Sequence, residues 1–173
     1  MLTLSLLRHA KSSWISPSLP DQDRPLNARG VADAPVMGRA IAKHGIDPSL
    51  VLCSSARRTR DTLALVLPEL KVEPRVIYDD ALYHATASEM LRTLRGVSTD
   101  INSVMLVGHN PEIHALALDL IGSGPQSLKM RLLEKLPTTG FVVISFPFQS
   151  WDQVTVNSGE LKLFLTPKIL AGG

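Results

Sequence analysis

Six short apolar runs punctuate this chain, at about Leu2–Leu7, Leu50–Cys53, Val72–Tyr78, Val104–Val107, Phe141–Phe146 and Leu161–Leu165. Each has the length of a strand. Near-continuous apolar runs such as Leu50–Cys53, Val104–Val107 and Phe141–Phe146, instead of strict alternation, support strands buried on both faces. Between the first four runs the pattern changes to helical spacing. Strands that alternate with helices imply a mostly parallel sheet covered on both sides. The last two runs follow one another across a short, turn-rich connection, so one edge should be antiparallel. The expected architecture is α/β: a three-layer α/β/α sandwich with a mostly parallel sheet and one antiparallel edge.

The helical segments carry start and stop signals. Asn110 is placed to cap a helix with Pro111 at its first position, Ile113, Leu116, Ala117 and Leu120 on one face, and Gly122 at its close. Ser55 is placed to cap another, from Ala56 to Leu67, stopped by Pro68. Thr86 and Glu89 form a capping box for a third, ending near Gly96. After Leu26 a helix leads to Gly45 with Pro35 inside it, which predicts a kink or a late start. Ser12–Arg24, with Pro17, Pro20, Asp21 and Asp23, reads as an irregular loop, and Gly122–Lys135 as a short helix or a surface excursion.

Length and composition narrow the class. With 173 residues, 45% hydrophobic and 20% charged, the chain suits a single domain, 1–173, able to bury a core without staples. A net charge of +2, without a basic run interleaved with aromatics, gives no reason to expect nucleic acid as a partner. Cys53 is the sole cysteine; it has no internal partner and ends an apolar run, so a buried thiol and a reducing, cytoplasmic setting are expected. There is no charged leader before the first apolar run and no stretch of about 18 apolar residues, so neither a signal peptide nor a membrane span is expected. Spacing for a structural zinc is absent, and no metal is expected.

The candidate chemistry lies where two of the runs end. Leu2–Leu7 runs into Arg8-His9, and Val104–Val107 into Gly108-His109-Asn110-Pro111. In an open α/β sheet, ligands bind beyond the carboxyl ends of strands, so both imidazoles and an arginine can surround one pocket. A lone histidine after a strand is ordinarily a loop residue; two, one of them next to arginine, suggest phosphoryl transfer on histidine. Ser54-Ser55-Ala56-Arg57-Arg58-Thr59-Arg60-Asp61-Thr62 follows the second run and opens a helix, whose first N–H groups and arginines suit an anion. Arg58 and Thr62 share a face, so Thr62 can brace the wall that carries Arg58.

Leu7-Arg8-His9-Ala10 resembles the Arg-His-Gly signature of the histidine phosphatase (phosphoglycerate mutase-like) superfamily. Ser54-x3-Arg58-x3-Thr62 is similar to its second arginine motif, and Gly108-His109 to its second histidine. Arg-His-Ala-Lys-Ser-Ser-Trp at 8–14, Asp-Arg-Pro-Leu-Asn at 23–27, Leu82-Tyr83 and Val-Gly-His-Asn-Pro at 107–111 resemble the small SixA-type phosphohistidine phosphatases. The resemblance implies a phosphoglycerate mutase-like fold, no cofactor, a phosphorylated protein as partner and His9 as a nucleophile that becomes a phosphohistidine. It also implies phosphate binding by Arg8 and Arg58, with a protonated His109 beside them. Neutral imidazole suits covalent catalysis, and fixed cations are most of what phosphoryl transfer asks of a protein.

Ester-cleaving members of the superfamily carry a glutamate after the third strand to protonate the leaving group. Here that stretch is Asp79-Asp80-Ala81-Leu82-Tyr83-His84, and the capping box accounts for Glu89. Asp23, Asp80 and His84 remain candidates for an acid, and Arg24 for a further pocket residue. A missing acid favours a phosphorus–nitrogen bond, whose leaving nitrogen is protonated near neutral pH. The reading is a phosphohistidine phosphatase; the alternatives are a small-molecule phosphomonoesterase or a catalytically idle phosphoprotein-binding domain. A nucleotide-binding Rossmann domain is disfavoured, because Arg8-His9 stands where a glycine-rich turn would be.

Overall fold

The computed structural model describes residues 1–172; residue 173, the last of the expected domain 1–173, lies outside them. Seven strands form one sheet: β1 (Leu2–Arg8), β2 (Leu50–Ser54), β3 (Arg75–Asp79), β4 (Ser103–Gly108), β5 (Ile121–Ser123), β6 (Phe141–Phe146) and β7 (Gly159–Leu165). The helices are α1 (Ala28–Lys43), α2 (Arg57–Val66), α3 (Ala87–Arg95), α4 (Glu112–Leu120), α5 (Gln126–Glu134) and α6 (Pro167–Leu170). The strand order is β3-β2-β4-β1-β6-β7-β5. The first four neighbours are parallel, and β6 runs antiparallel to both β1 and β7. β6 and β7 pair antiparallel across their short connection, as expected, but β6, the strand that runs against the rest, lies inside the sheet between β1 and β7, and β5 forms the edge, parallel to β7.

The pleat sends successive side chains of a strand to opposite faces, and both faces are buried. In β1, Leu2, Leu4 and Leu6 enter a core with Met90 and Leu94 of α3 and Leu116 and Leu120 of α4. Leu7 enters the opposite core with Met37 and Ile41 of α1 and Leu63 and Val66 of α2. Both faces are covered, giving the expected three layers. Cys53 is buried in the second core, where burial pushes its thiol up to about 12. No helix among the described residues is long and apolar enough to cross a membrane.

Several local expectations are corrected. The third strand begins at Arg75 instead of Val72, because Pro74 has no N–H for the ladder and Val72 is exposed. α1 starts promptly, with the Asn27 side chain accepting from Gly30 N–H at 2.9 Å, and continues through Pro35. Its buried face, including Ala34, Met37 and Ile41, outweighs the one hydrogen bond a proline removes. Ala56, not Ser55, occupies the cap position of α2. Pro111, not Asn110, occupies that of α4, since the Asn110 amide donates to Leu136 O at 2.9 Å. Gly122 does not close α4 either: the chain passes directly into β5, and a Cβ at Gly122 would lie 2.0 Å from Asn157 O. Gly122–Lys135 thus resolves into the end of β5 and α5.

Candidate active site

β1 and β4 are adjacent and parallel, with Arg8 in register with Gly108. Their next residues, His9 and His109, emerge side by side at the carboxyl edge, with ring centroids 5.4 Å apart. His9 N–H donates to Gly108 O at 3.1 Å, and His9 O accepts from Thr139 N–H at 3.0 Å, so the end of β4 and the turn before β6 hold its backbone. The ring is oriented as well. Nδ1 lies 2.7 Å from Ala10 O, an acceptor only, so Nδ1 carries the proton and Nε2 presents a lone pair. Burial, opposed by that hydrogen bond and aided by Arg58, Arg8 and Arg24, lowers the His9 pKa to about 4. At neutral pH this is an uncharged, pre-oriented imidazole with a free lone pair on Nε2.

α2 supplies the second wall. Ala10 N–H donates to Thr62 Oγ1 at 2.9 Å, and Thr62 Oγ1 donates to Arg58 O at 2.7 Å, so Thr62 ties the His9 loop to the turn that carries Arg58. Gly30 permits the same loop to pack against α1; a Cβ there would lie 2.2 Å from Lys11 O. Arg58 is buried, 6% exposed, and donates through Nη1 to Asp21 O at 2.8 Å and through Nη2 to the Asp21 carboxylate at 3.1 Å. The same carboxylate accepts from Arg24 Nε at 3.0 Å and from the Tyr83 hydroxyl. These bonds, the Tyr83 bond foremost, hold the Asp21 pKa down to about 2.

His109 faces Ser54 Oγ at 2.8 Å through Nε2. Burial, then Arg58, lower its pKa to about 3. With the protein's own groups the ring is neutral, and the protonated His109 that the resemblance implies requires an anion beside it. Buried polar atoms without partners gather here: Arg8 Nε, Arg58 Nε, His109 Nδ1, Asn110 Oδ1 and Thr139 Oγ1. Unsatisfied donors on two arginines and an imidazole, at the edge where open sheets take ligands, fit an oxyanion.

Of the expected residues, the structure brings together Arg8, His9, Arg58 and His109. Arg24 joins them at one remove: its buried guanidinium holds Asp21, donates to Ser12 Oγ at 2.8 Å, and stacks 3.5 Å from the Trp14 ring centroid. His84 is exposed and packs on Tyr83, with centroids 4.1 Å apart, while Tyr83 in turn meets His109 edge-on at 5.6 Å. Asp23 and Asp80 are exposed and form no ion pair among the described residues. Glu89 closes the expected capping box, its carboxylate accepting from Thr86 N–H at 2.8 Å. Sequence reasoning missed Asp21, Tyr83 and Ser54 as contributors. The signal for Asp21 was its place three residues before Arg24, an i,i+3 charge pair inside a loop. No group of three or more His, Cys, Asp or Glu placed to hold a metal occurs among the described residues.

Comparison with known proteins gives an independent view. The family model of the histidine phosphatase superfamily (branch 1) matches residues 4–85. A Mycobacterium leprae (strain TN) protein of uncharacterized function is 32% identical over 166 residues, covering 94% of this chain and 100% of the relative. A crystal structure from Agrobacterium tumefaciens, provisionally assigned as phosphohistidine phosphatase SixA, superposes with a TM-score of 0.81 at 32% identity, covering 96% of this chain and 98% of the other. One from Nakamurella multipartitia, with the same provisional assignment, gives the same score and identity, covering 96% of each chain.

Proposed function

This chain belongs to the histidine phosphatase superfamily, SixA type, and on that premise we propose that its phosphatase activity removes phosphate from phosphohistidine on other proteins. His9 is the nucleophile. Its Nε2 lone pair forms a bond to phosphorus as the phosphorus–nitrogen bond of the substrate breaks, and the departing imidazole keeps the proton it acquired from solvent. Water then attacks the phosphohistidine on His9, releasing inorganic phosphate and restoring the free ring. Arg8 and Arg58 bind the equatorial oxygens, and the arriving dianion raises the proton affinity of His109, which completes the cage.

The observation that carries this reading is the state of the nearest carboxyl. An acid able to protonate an alkoxide must hold a proton at working pH, whereas Asp21, bonded to Tyr83, Arg24 and Arg58, is held ionised with a pKa of about 2. Glu89 is engaged in its cap, and Asp80 and Asp23 stay at the surface. A site rich in phosphate donors and without a poised carboxylic acid suits a leaving group that brings its own proton.

Turnover of phosphohistidine, phosphoserine and a sugar phosphate by one preparation tests the proposal. A kcat/KM for phosphohistidine at least about tenfold above the esters supports it. A preference for the sugar phosphate would replace it with a phosphomonoesterase, and no turnover of any substrate with retained phosphate binding would replace it with a binding domain.

A further inference from the structure

A second concavity, of about 500 Å³, opens between α5, the end of β7 and α6. Its floor is apolar, with Phe164, Pro137 and Ile169, and its rim is basic, with Arg29, Arg131, Lys135 and Lys168 against Glu134 as the one acid. Arg29 is engaged with Asp33 at 3.5 Å, whereas Arg131, Lys135 and Lys168 form no ion pair among the described residues. Arg131 stands 5.3 Å from the Phe164 ring centroid, which fixes its guanidinium over the floor instead of leaving it to the solvent.

The cleft is joined to the active site by topology and by one loop. Leu7, Phe141 and Leu165 lie in one row across β1, β6 and β7, so β7 ends at the edge where His9 emerges. At the ordinary strand spacing, that end lies two strands, or about 10 Å, to the side. Lys135 and Pro137 line the cleft, while Leu136 between them accepts from Arg8 Nη1 at 3.1 Å and from the Asn110 amide. A polypeptide presenting a phosphorylated side chain to His9 would extend over this cleft.

We infer that the cleft bounded by Arg131, Lys135 and Lys168 docks an acidic segment, carrying apolar side chains, of the protein whose phosphate is removed at His9. The inference rests on the protein-substrate reading above, and names the surface that selects the substrate. Three free cations around an apolar floor complement glutamates interleaved with a large apolar residue. A small phosphorylated metabolite bound between Arg8 and Arg58 would not reach so far.

The test is fluorescence anisotropy with a fluorescein-labelled, unphosphorylated peptide that alternates glutamate with phenylalanine, on the wild type and on the double variant Arg131→Glu, Lys168→Glu. Saturable binding that weakens by about tenfold or more in the variant is expected, with turnover of phosphoramidate unchanged. The neutral pair Arg131→Gln, Lys168→Gln should fall between them, and serves if charge reversal impairs folding. Absence of saturable binding, equal binding of a lysine-containing counterpart, or displacement by tripolyphosphate as effective as by unlabelled peptide would overturn the inference. Because the probe carries no phosphate, a failure here leaves phosphoramidate turnover to judge the catalytic reading separately.

Discussion

Arg58 grips Asp21 with both of its terminal nitrogens, one on the backbone carbonyl at 2.8 Å and one on the carboxylate at 3.1 Å. This arginine, one of the two proposed to bind phosphate, is thereby held in a fixed pose by an anion that belongs to the protein. The carboxylate orients the guanidinium and also offsets part of its charge. Substrate must work against the second effect while benefiting from the first.

Replacing Asp21 with asparagine keeps an acceptor for Arg58 and Arg24 and removes the negative charge. Orthophosphate should then inhibit more strongly, with its inhibition constant falling about threefold or more. A weaker inhibition would show that orientation of Arg58 outweighs the charge.

His9→Ala should abolish turnover while the melting temperature stays within a few degrees, because the ring lies at a strand end instead of between core side chains. Intact-protein mass spectrometry after rapid mixing with phosphoramidate should detect a phosphorylated species in the wild type alone. That species should be labile in acid and stable in alkali, as a phosphoramidate is.

Arg58→Lys should reduce kcat/KM by about tenfold or more, equal to roughly 1.4 kcal/mol. One ammonium cannot both engage Asp21 and present a planar pair of donors to phosphate. Steady-state kinetics with phosphohistidine decides it, and a rate like that of wild type would remove Arg58 from the phosphate site.

Stability should depend on pH through His9 and His109. Both have folded pKa values, about 4 and about 3, below the ordinary histidine value of 6.5. Between those limits the unfolded chain binds protons that the folded one refuses, so stability is fully present above pH 6.5 and is lost as pH falls through about 4 and about 3. Urea melts from pH 7 to 4 should show this loss, and it should shrink in His109→Asn.

Glu89→Gln keeps a side-chain oxygen to accept from Thr86 N–H. Stability should fall by less than about 1 kcal/mol and turnover should hardly change. A fall of about a hundredfold confined to alkyl phosphates would make Glu89 the general acid and shift the protein towards ester hydrolysis.

The layered α/β fold was legible in the sequence alone, because strands covered on both faces read as largely apolar runs and the first four are separated by stretches of helical periodicity. The sequence also pointed to Arg8, His9, Arg58 and His109, since each ends or follows a strand or opens a helix, and the parallel pairing of β4 with β1 and β2 brings those strand ends to one edge. Only the tertiary structure decided what surrounds them. Asp21 reaches Arg58 across 37 residues and Tyr83 across 62, through a loop without periodicity, and no local pattern encodes such contacts. The helix cap at Pro111 moved for the same reason: Asn110, which local rules would leave to the helix start, is drawn to the Leu136 carbonyl. The lowered proton affinity of His109 likewise comes from burial beside Arg58, a property of the folded environment and not of the residue.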